Sequence, residues 1–443
     1  MSSSTSKTLW IKTMRRFVTL LIALLCLSAT AVQAQVEIRA PGQQTIAVAN
    51  TQLVPLSGTP LPAIAAELHD VMAADLELSG LFRQLDPAAF LDDARRPGLT
   101  SSRVDFNQWA LLGAEILIKG GYQLQGERLL VDFRLYDVVH RRLLTGRRYA
   151  GLRRDVRTMA HKFADQVLKS VTGREGPFSS RIAYIDNRTG HKELYLMDTD
   201  GANALRLTDH RSIVLNPDFS PNGREVIYTS YRRGNPDLYR KQLSTGQEAR
   251  LAFKKGLNIA ARFRPDGREI ALTQSATGNP ELMLLGTDGS RRRRLTSHWG
   301  IDVDPSWSPA GDRLAFVSDR QGNPHIFVMD LLGGQTARLT ANGKYNATPA
   351  WSPDGKRIAF TRLEKGVFDI YTVRPDGTDE RRLTFGPGNK EHPRWSPDSR
   401  FLVYSSDQDG RKGIYIMRAD GTGIRRISAG GGQCQHPAWS GQR

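Results

Sequence analysis

Four side chains in the second half of this 443-residue chain are of types that could do chemistry: Asp302, Asp304, His392 and His436. Carboxylates and imidazoles can pass protons, and carboxylates with amides can hold calcium. Their spacing says more than their types. Asn216, Ala260, Asp304, Thr348, His392 and His436 occupy one column at intervals of 44 residues, and Val214, Asn258, Asp302, Asn346, Lys390 and Cys434 occupy a second column two residues earlier. Both columns diverge while their neighbours repeat, so repetition marks a scaffold and divergence marks recognition. The chain has no Gly-x-Ser-x-Gly elbow, His-Glu-x-x-His, Walker loop or Cys-x-x-Cys. A polar rim for a protein partner is therefore the first expectation for these columns.

The scaffold is visible in the flanking positions. Phe219, Phe263, Trp307, Trp351, Trp395 and Trp439 are each 44 residues apart, and Pro221, Pro265, Pro309, Pro353 and Pro397 follow two residues later. Alternating runs such as Glu225-Val-Ile-Tyr-Thr and Arg313-Leu-Ala-Phe-Val come next, with a period of two that suits strands with one buried face. A second aromatic column follows (Tyr195, Tyr239, Phe327, Tyr371, Tyr415), then an Arg-Leu-Thr-like column after Asp-Gly turns. Four short strands per 44 residues predict a propeller blade. Ser180 to Arg443 is 264 residues, six such units. Ile182-Ala-Tyr184 lacks a preceding aromatic strand, and Pro437-Ala-Trp439-Ser440 at the far end supplies one, so the C-terminal strand should complete the first blade. The expected fold is an N-terminal α+β domain followed by an all-β six-bladed propeller, with each inner-strand aromatic wedged against the next blade. On that ring the divergent columns should surround the mouth of the central channel.

The first part of the chain has a different grammar. Lys7, Lys12, Arg15 and Arg16 precede the apolar run Phe17 to Leu27, and Val32-Gln33-Ala34 offers small residues for cleavage between Ala34 and Gln35. That is the pattern of a secretory signal peptide over 1–34, which places the mature protein in a periplasm with no membrane span. Residues 35–172 read as the α+β domain: Ile46 to Ala49, Ile116 to Lys119, Leu129 to Leu135 and Arg142 to Tyr149 as strands, with helices ending near Gly80 and Gly173. Residues 173–179 form the linker and 180–443 the propeller. After cleavage Cys434 is the one cysteine left, so no internal disulfide can form, and burial is its expected state. Of the formal charge of +17, the propeller carries +11. Export argues against nucleic acid as the partner and favours an acidic protein surface, anionic lipid or the cell wall.

The signal, the small α+β domain and six Trp-Ser-Pro-Asp-Gly repeats closed by a terminal Pro-Ala-Trp-Ser strand together resemble the TolB family, the periplasmic propellers of the bacterial Tol-Pal cell-envelope system. The resemblance implies a non-enzymatic adaptor with no cofactor and a monomeric state. It implies docking of Pal, the peptidoglycan-associated lipoprotein, on the propeller face, with Leu257, Asn258, Ile259, Ala260, Val303 and Asp304 matching the region concerned. It further implies that Val36, Glu37, Ile38 and Arg39 begin a tail that binds the inner-membrane protein TolA, in the service of outer-membrane integrity and constriction at division. Other outer-membrane lipoproteins are further candidate partners. The alternative from another class is a calcium-dependent periplasmic propeller hydrolase or lactonase, built on Asp302, Asp304, His392 and His436 at the channel mouth.

Overall fold

The computed structural model describes residues 45–441. The signal peptide, the Ala34–Gln35 cleavage point and the tail Val36 to Arg39 lie outside the described residues. Among the described residues no helix is long and apolar enough to cross a membrane.

The first domain runs β1 (Ile46–Asn50), β2 (Val54–Pro55), α1 (Pro62–Ser79), β3 (Phe82–Gln84), α2 (Phe106–Leu111), β4 (Ile116–Gln125), β5 (Arg128–Asp137), β6 (Arg142–Leu152) and α3 (Val156–Thr172). The sheet order is β3-β1-β4-β5-β6, with β1 parallel to both neighbours and β4, β5 and β6 antiparallel. Helix α1 begins at Pro62, where the missing N–H costs no helical bond, and stops at Gly80 in the left-handed conformation. The alternation in β5 buries Leu129, Val131, Phe133 and Leu135 completely. Their core includes α1 and α3, where Phe133 stacks on Phe163 with ring centroids 4.5 Å apart. Short α2 and three 3-10 turns between residues 87 and 103 carry no strong periodic signal and were not expected from sequence.

Six four-stranded antiparallel sheets follow. The inner strands are Val214–Phe219, Asn258–Phe263, Asp302–Trp307, Asn346–Trp351, Lys390–Trp395 and Cys434–Trp439. The last pairs with Arg181–Asp186, setting Trp439 opposite Ile182 and Ala438 opposite Ala183, so the terminus completes the first blade as the repeat predicted. A closed ring leaves no blade without neighbours.

The aromatic wedges need one correction, because they point to the blade before and not to the blade after. Phe263 shares a cluster with Ile227 and Leu238 of the preceding blade, and Trp307 with Ala271 and Leu284. Trp307 Nε1 donates to Arg262 O at 3.1 Å, and Trp395 Nε1 to Ala350 O at 2.9 Å, each reaching back 45 residues. The indole N–H needs a buried acceptor, and the carbonyls of the preceding inner strand supply it.

The two domains meet on one face of the ring. In every blade the first-to-second and third-to-fourth strand turns emerge on the same side, because the strands alternate in direction. On that side Arg418 Nε donates to Leu78 O at 2.9 Å, Arg157 pairs with Asp200, and Thr199 Oγ1 donates to Phe178 O at 2.7 Å. Phe178 is buried, and Asp165 of α3 accepts from the Phe178 and Ser179 amides at 2.7 and 3.0 Å. His161 of α3 lies between Asp75 and Asp200; burial works against its charge, but the pull of Asp75 and the nearness of Asp200 lift its pKa to about 10.

Candidate binding face of the propeller

The domain-bearing side is covered in part, and the opposite side carries the blade-to-blade connections that lead into the inner strands. What those strands do locally follows from their sequence. The residue before Pro217, Pro305, Pro349, Pro393 and Pro437 takes a left-handed backbone, and so does Ala260: φ is 51° at Asn216, 53° at Ala260, 54° at Asp304, 50° at Thr348, 58° at His392 and 51° at His436. Proline cannot donate to the ladder, and the pairing register shifts in all six strands at this point, for example between Leu215 and Asp218 and between Val303 and Ser306. The divergent column is thus a ring of six bulges around the channel.

Such a conformation costs an L-residue about 1–2 kcal/mol. Ala260 is fully buried and contributes only a methyl group at that angle. Ala260→Gly is therefore expected to be neutral or stabilising by up to about 1 kcal/mol, where the same change in an ordinary strand would destabilise. Urea unfolding checks this, and a clear loss of stability would contradict it.

The ring brings some of the candidate residues together. The His392 and His436 rings meet edge to face with centroids 4.1 Å apart, and the Asn216 backbone N–H donates to His436 Nδ1 at 3.4 Å. Burial in the channel wall holds the His392 pKa down to about 4 and pulls His436 well below the ordinary range, the neighbouring His392 adding to the latter. Both imidazoles are neutral at pH 7. Burial raises Asp304, and raises Asp218 to about 6, in each case against the charge of Arg262. Thr348 Oγ1 lies 2.7 Å from Thr361 Oγ1.

Arg262 was not singled out from sequence, although its charge reaches Asp218, Asp304, His392 and His436. Its column, Asp218, Arg262, Ser306, Ala350, Arg394 and Ala438, diverges as freely as the two that were chosen. That divergence was the available signal.

The second column is not on the rim, contrary to the expectation from spacing. Asn258, Asp302, Asn346 and Lys390 are all buried, as are Val214 and Cys434. These residues start the inner strands with side chains turned into the blade. Asp302 takes both oxygens to Arg320 at 2.9 Å, Asn346 accepts from Arg362 Nε at 2.8 Å, Asn258 accepts from Gln274 at 2.7 Å, and Lys390 donates to the carbonyls of Gly386 and Pro387. Cys434 is buried against Asp186, and burial and that carboxylate push its thiol up to about 12. Asp302 is thus engaged with Arg320 and is not gathered with the histidine pair. Leu257, Ile259 and Val303 are half-buried beside the ring.

The surrounding loops present a mixed apolar and basic surface. Ile213, Phe253, Trp299, Tyr345 and Phe385 are exposed there, Trp299 to 76%. Arginines brace two of the rings: Arg250 lies 4.4 Å from the Phe253 centroid and Arg382 lies 4.7 Å from that of Phe385. Exposed Arg211, Arg233, Lys254, Lys255, Lys344 and Lys365 outnumber exposed Asp209 and Asp409 on these loops. Sequence reasoning passed over the aromatics. For Trp299, Phe253 and Phe385 the signal is a large ring in a loop column that elsewhere holds Ser, Ala, Gly, Pro or a charge, as Trp299 does between Lys255 and Gly343.

A family model described as the TolB beta propeller domain matches residues 168–443, and one described as the TolB amino-terminal domain matches residues 34–144. The chain belongs to the TolB family. A relative in Geobacter sulfurreducens, Tol-Pal system protein TolB, is 44% identical over 220 residues, covering 48% of this chain and 50% of the relative. The protein of the same name in Geobacter metallireducens is 43% identical over 215 residues, 48% of this chain and 49% of its own length. The chain thus spans about half the length of the curated relatives it matches. The crystal structure of TolB from Acinetobacter baumannii superposes with a TM-score of 0.78 at 27% identity, covering 90% of this chain and 98% of that one. Of the positions that the TolB resemblance singles out, Leu257, Ile259, Val303 and Asp304 are half-buried on or beside the channel ring, whereas Asn258 and Ala260 are buried.

Proposed function

We propose that the chain is a non-enzymatic periplasmic adaptor of the Tol-Pal system. It docks a Pal-like peptidoglycan-associated lipoprotein on the open face of the propeller and a TolA-like inner-membrane protein through the tail beginning Val36 to Arg39. It serves outer-membrane integrity and constriction at division as a monomer exported by its signal peptide. The observation that carries the docking half of this reading is the open face itself. Five exposed apolar side chains, two of them braced by arginines, stand on the blade-to-blade connections, on the side away from the first domain. Exposed aromatic anchors with a charged rim are what a protein-binding surface needs, and the excess of lysine and arginine selects an acidic partner. The contact set proposed for the partner is Asn216, Leu257, Ile259, Val303, Asp304, Thr348, His392 and His436, together with the exposed loop aromatics.

Pulldown from detergent-solubilised envelope with the tagged mature protein is expected to recover an outer-membrane lipoprotein bearing a peptidoglycan-binding domain. Removing residues 35–39 should abolish recovery of the inner-membrane partner and leave the lipoprotein bound. Recovery of no envelope protein would remove the adaptor reading.

A further inference from the structure

We propose that the junction between the two domains holds a zinc-class divalent metal ion on His161 Nε2, Asp198 and Asp200, with Asp75 as a positioning residue. One ligand comes from α3 of the first domain; Asp198 ends the third strand of the first blade, Glu193–Asp198, and Asp200 lies in the turn after it. The potential ligand atoms of the three residues all lie within 4.8 Å of one another. His161 Nε2 and Asp200 Oδ2 are 3.4 Å apart. A tetrahedral ion with bonds of about 2.0–2.2 Å has ligand-to-ligand edges of about 3.3–3.6 Å, so this pair already has the separation that coordination requires.

The second observation is the state of the imidazole. His161 is 2% exposed, and its Nδ1 lies 2.6 Å from Asp75 Oδ2, while Nε2 makes no hydrogen bond. With Nδ1 held by Asp75, Nε2 is the ring atom that faces the two blade carboxylates, and a metal bound there takes the place of its proton. A carboxylate behind a histidine in this way fixes the tautomer and raises its basicity toward a metal. The carboxylates are also prepared. Asn203 Nδ2 donates to Asp198 Oδ2 at 2.7 Å and the Ala202 amide donates to Asp200 Oδ1 at 3.0 Å, which leaves Asp198 Oδ1 for an ion, while Asp200 Oδ2 is shared between Arg157 and the site. Arg157 competes for Asp200 Oδ2, but Glu67 Oε1 at 3.6 Å offers its guanidinium a second partner. One imidazole with two carboxylates suits zinc better than calcium, which takes six to eight oxygens. The two carboxylates are half-buried, so the fourth position is open to water. An ion there would fasten the first domain to the ring.

The test is calorimetric titration of zinc into purified, chelator-treated, tag-free protein, with calcium titrated in parallel. One zinc per chain is expected, with a rise in melting temperature that calcium does not give. Asp75→Asn retains an acceptor for Nδ1 and should weaken zinc binding by about 10–100-fold. Asp198→Asn, on a half-buried carboxylate outside the helix contacts, should weaken it at least as much while leaving the metal-free circular dichroism unchanged. Absence of stoichiometric binding by the parent protein would overturn the proposal. So would equal binding by both variants, which would mark the zinc as held adventitiously by other histidines such as the His392–His436 pair.

Discussion

Ending the chain after Gly432 is expected to destroy cooperative folding of the propeller. The missing strand Cys434–Trp439 is the inner strand of the first blade, and its loss leaves Arg181–Asp186 without a partner along its inner edge. It also removes Trp439, whose Nε1 donates to Ser180 Oγ at 2.7 Å and whose ring packs beside Phe401 of the sixth blade. The ring would then be open between its sixth and first blades, with an exposed strand edge that templates association. Differential scanning calorimetry and gel filtration check this. A broadened or absent transition with aggregated material is expected, and a monomer with an unchanged transition would contradict the closure.

The second large effect concerns a single wedge. Trp395→Ala is expected to cost about 3–5 kcal/mol. The indole is 8% exposed and packs with Ala350, Ala359, Ile370 and Leu383 of the preceding blade, and its N–H satisfies Ala350 O. Removing it opens a cavity between two blades and takes one hydrogen bond from Ala350 O. Trp395→Phe keeps most of the apolar contact and should cost less, including about 1 kcal/mol for the lost hydrogen bond. Urea unfolding of the two variants separates packing from hydrogen bonding. A loss under about 1 kcal/mol for the alanine variant would mean that the blades do not depend on this wedge.

The ring was legible because it is repetitive. A period of 44 residues with no insertion allows each blade to be read from the other five, and an alternating strand exposes its register in its own residue types. The strand Leu129 to Leu135 was legible for the same reason, whereas α2, only six residues long, was not. The direction of the wedges was not legible, since the spacing of Trp307 or Trp395 is the same whichever neighbour it touches. The divergent columns were half legible. Sequence divergence identified positions free of the repeat, yet it could not tell Asp304, in the channel ring, from Asp302, two residues earlier and paired inside the blade with Arg320. What separates them is the left-handed backbone at Asp304 itself, a bulge that the alternation rule does not contain. Trp299 was not legible because it is the one aromatic in its column, and a single loop ring carries no periodic signal.

The central claim is that the open face is the docking surface, and the most direct measurement is titration of the soluble domain of the organism's peptidoglycan-associated lipoprotein into the purified protein and into a variant carrying Trp299→Ala with Lys344→Glu. Trp299 and Lys344 are both exposed on the blade-to-blade loops, so the substitutions spare the fold. Losing an aromatic anchor and reversing one rim charge is expected to weaken binding by about 2 kcal/mol, more than tenfold. Undiminished affinity in the variant, with the parent protein binding normally, would contradict the assignment of the lipoprotein to this face.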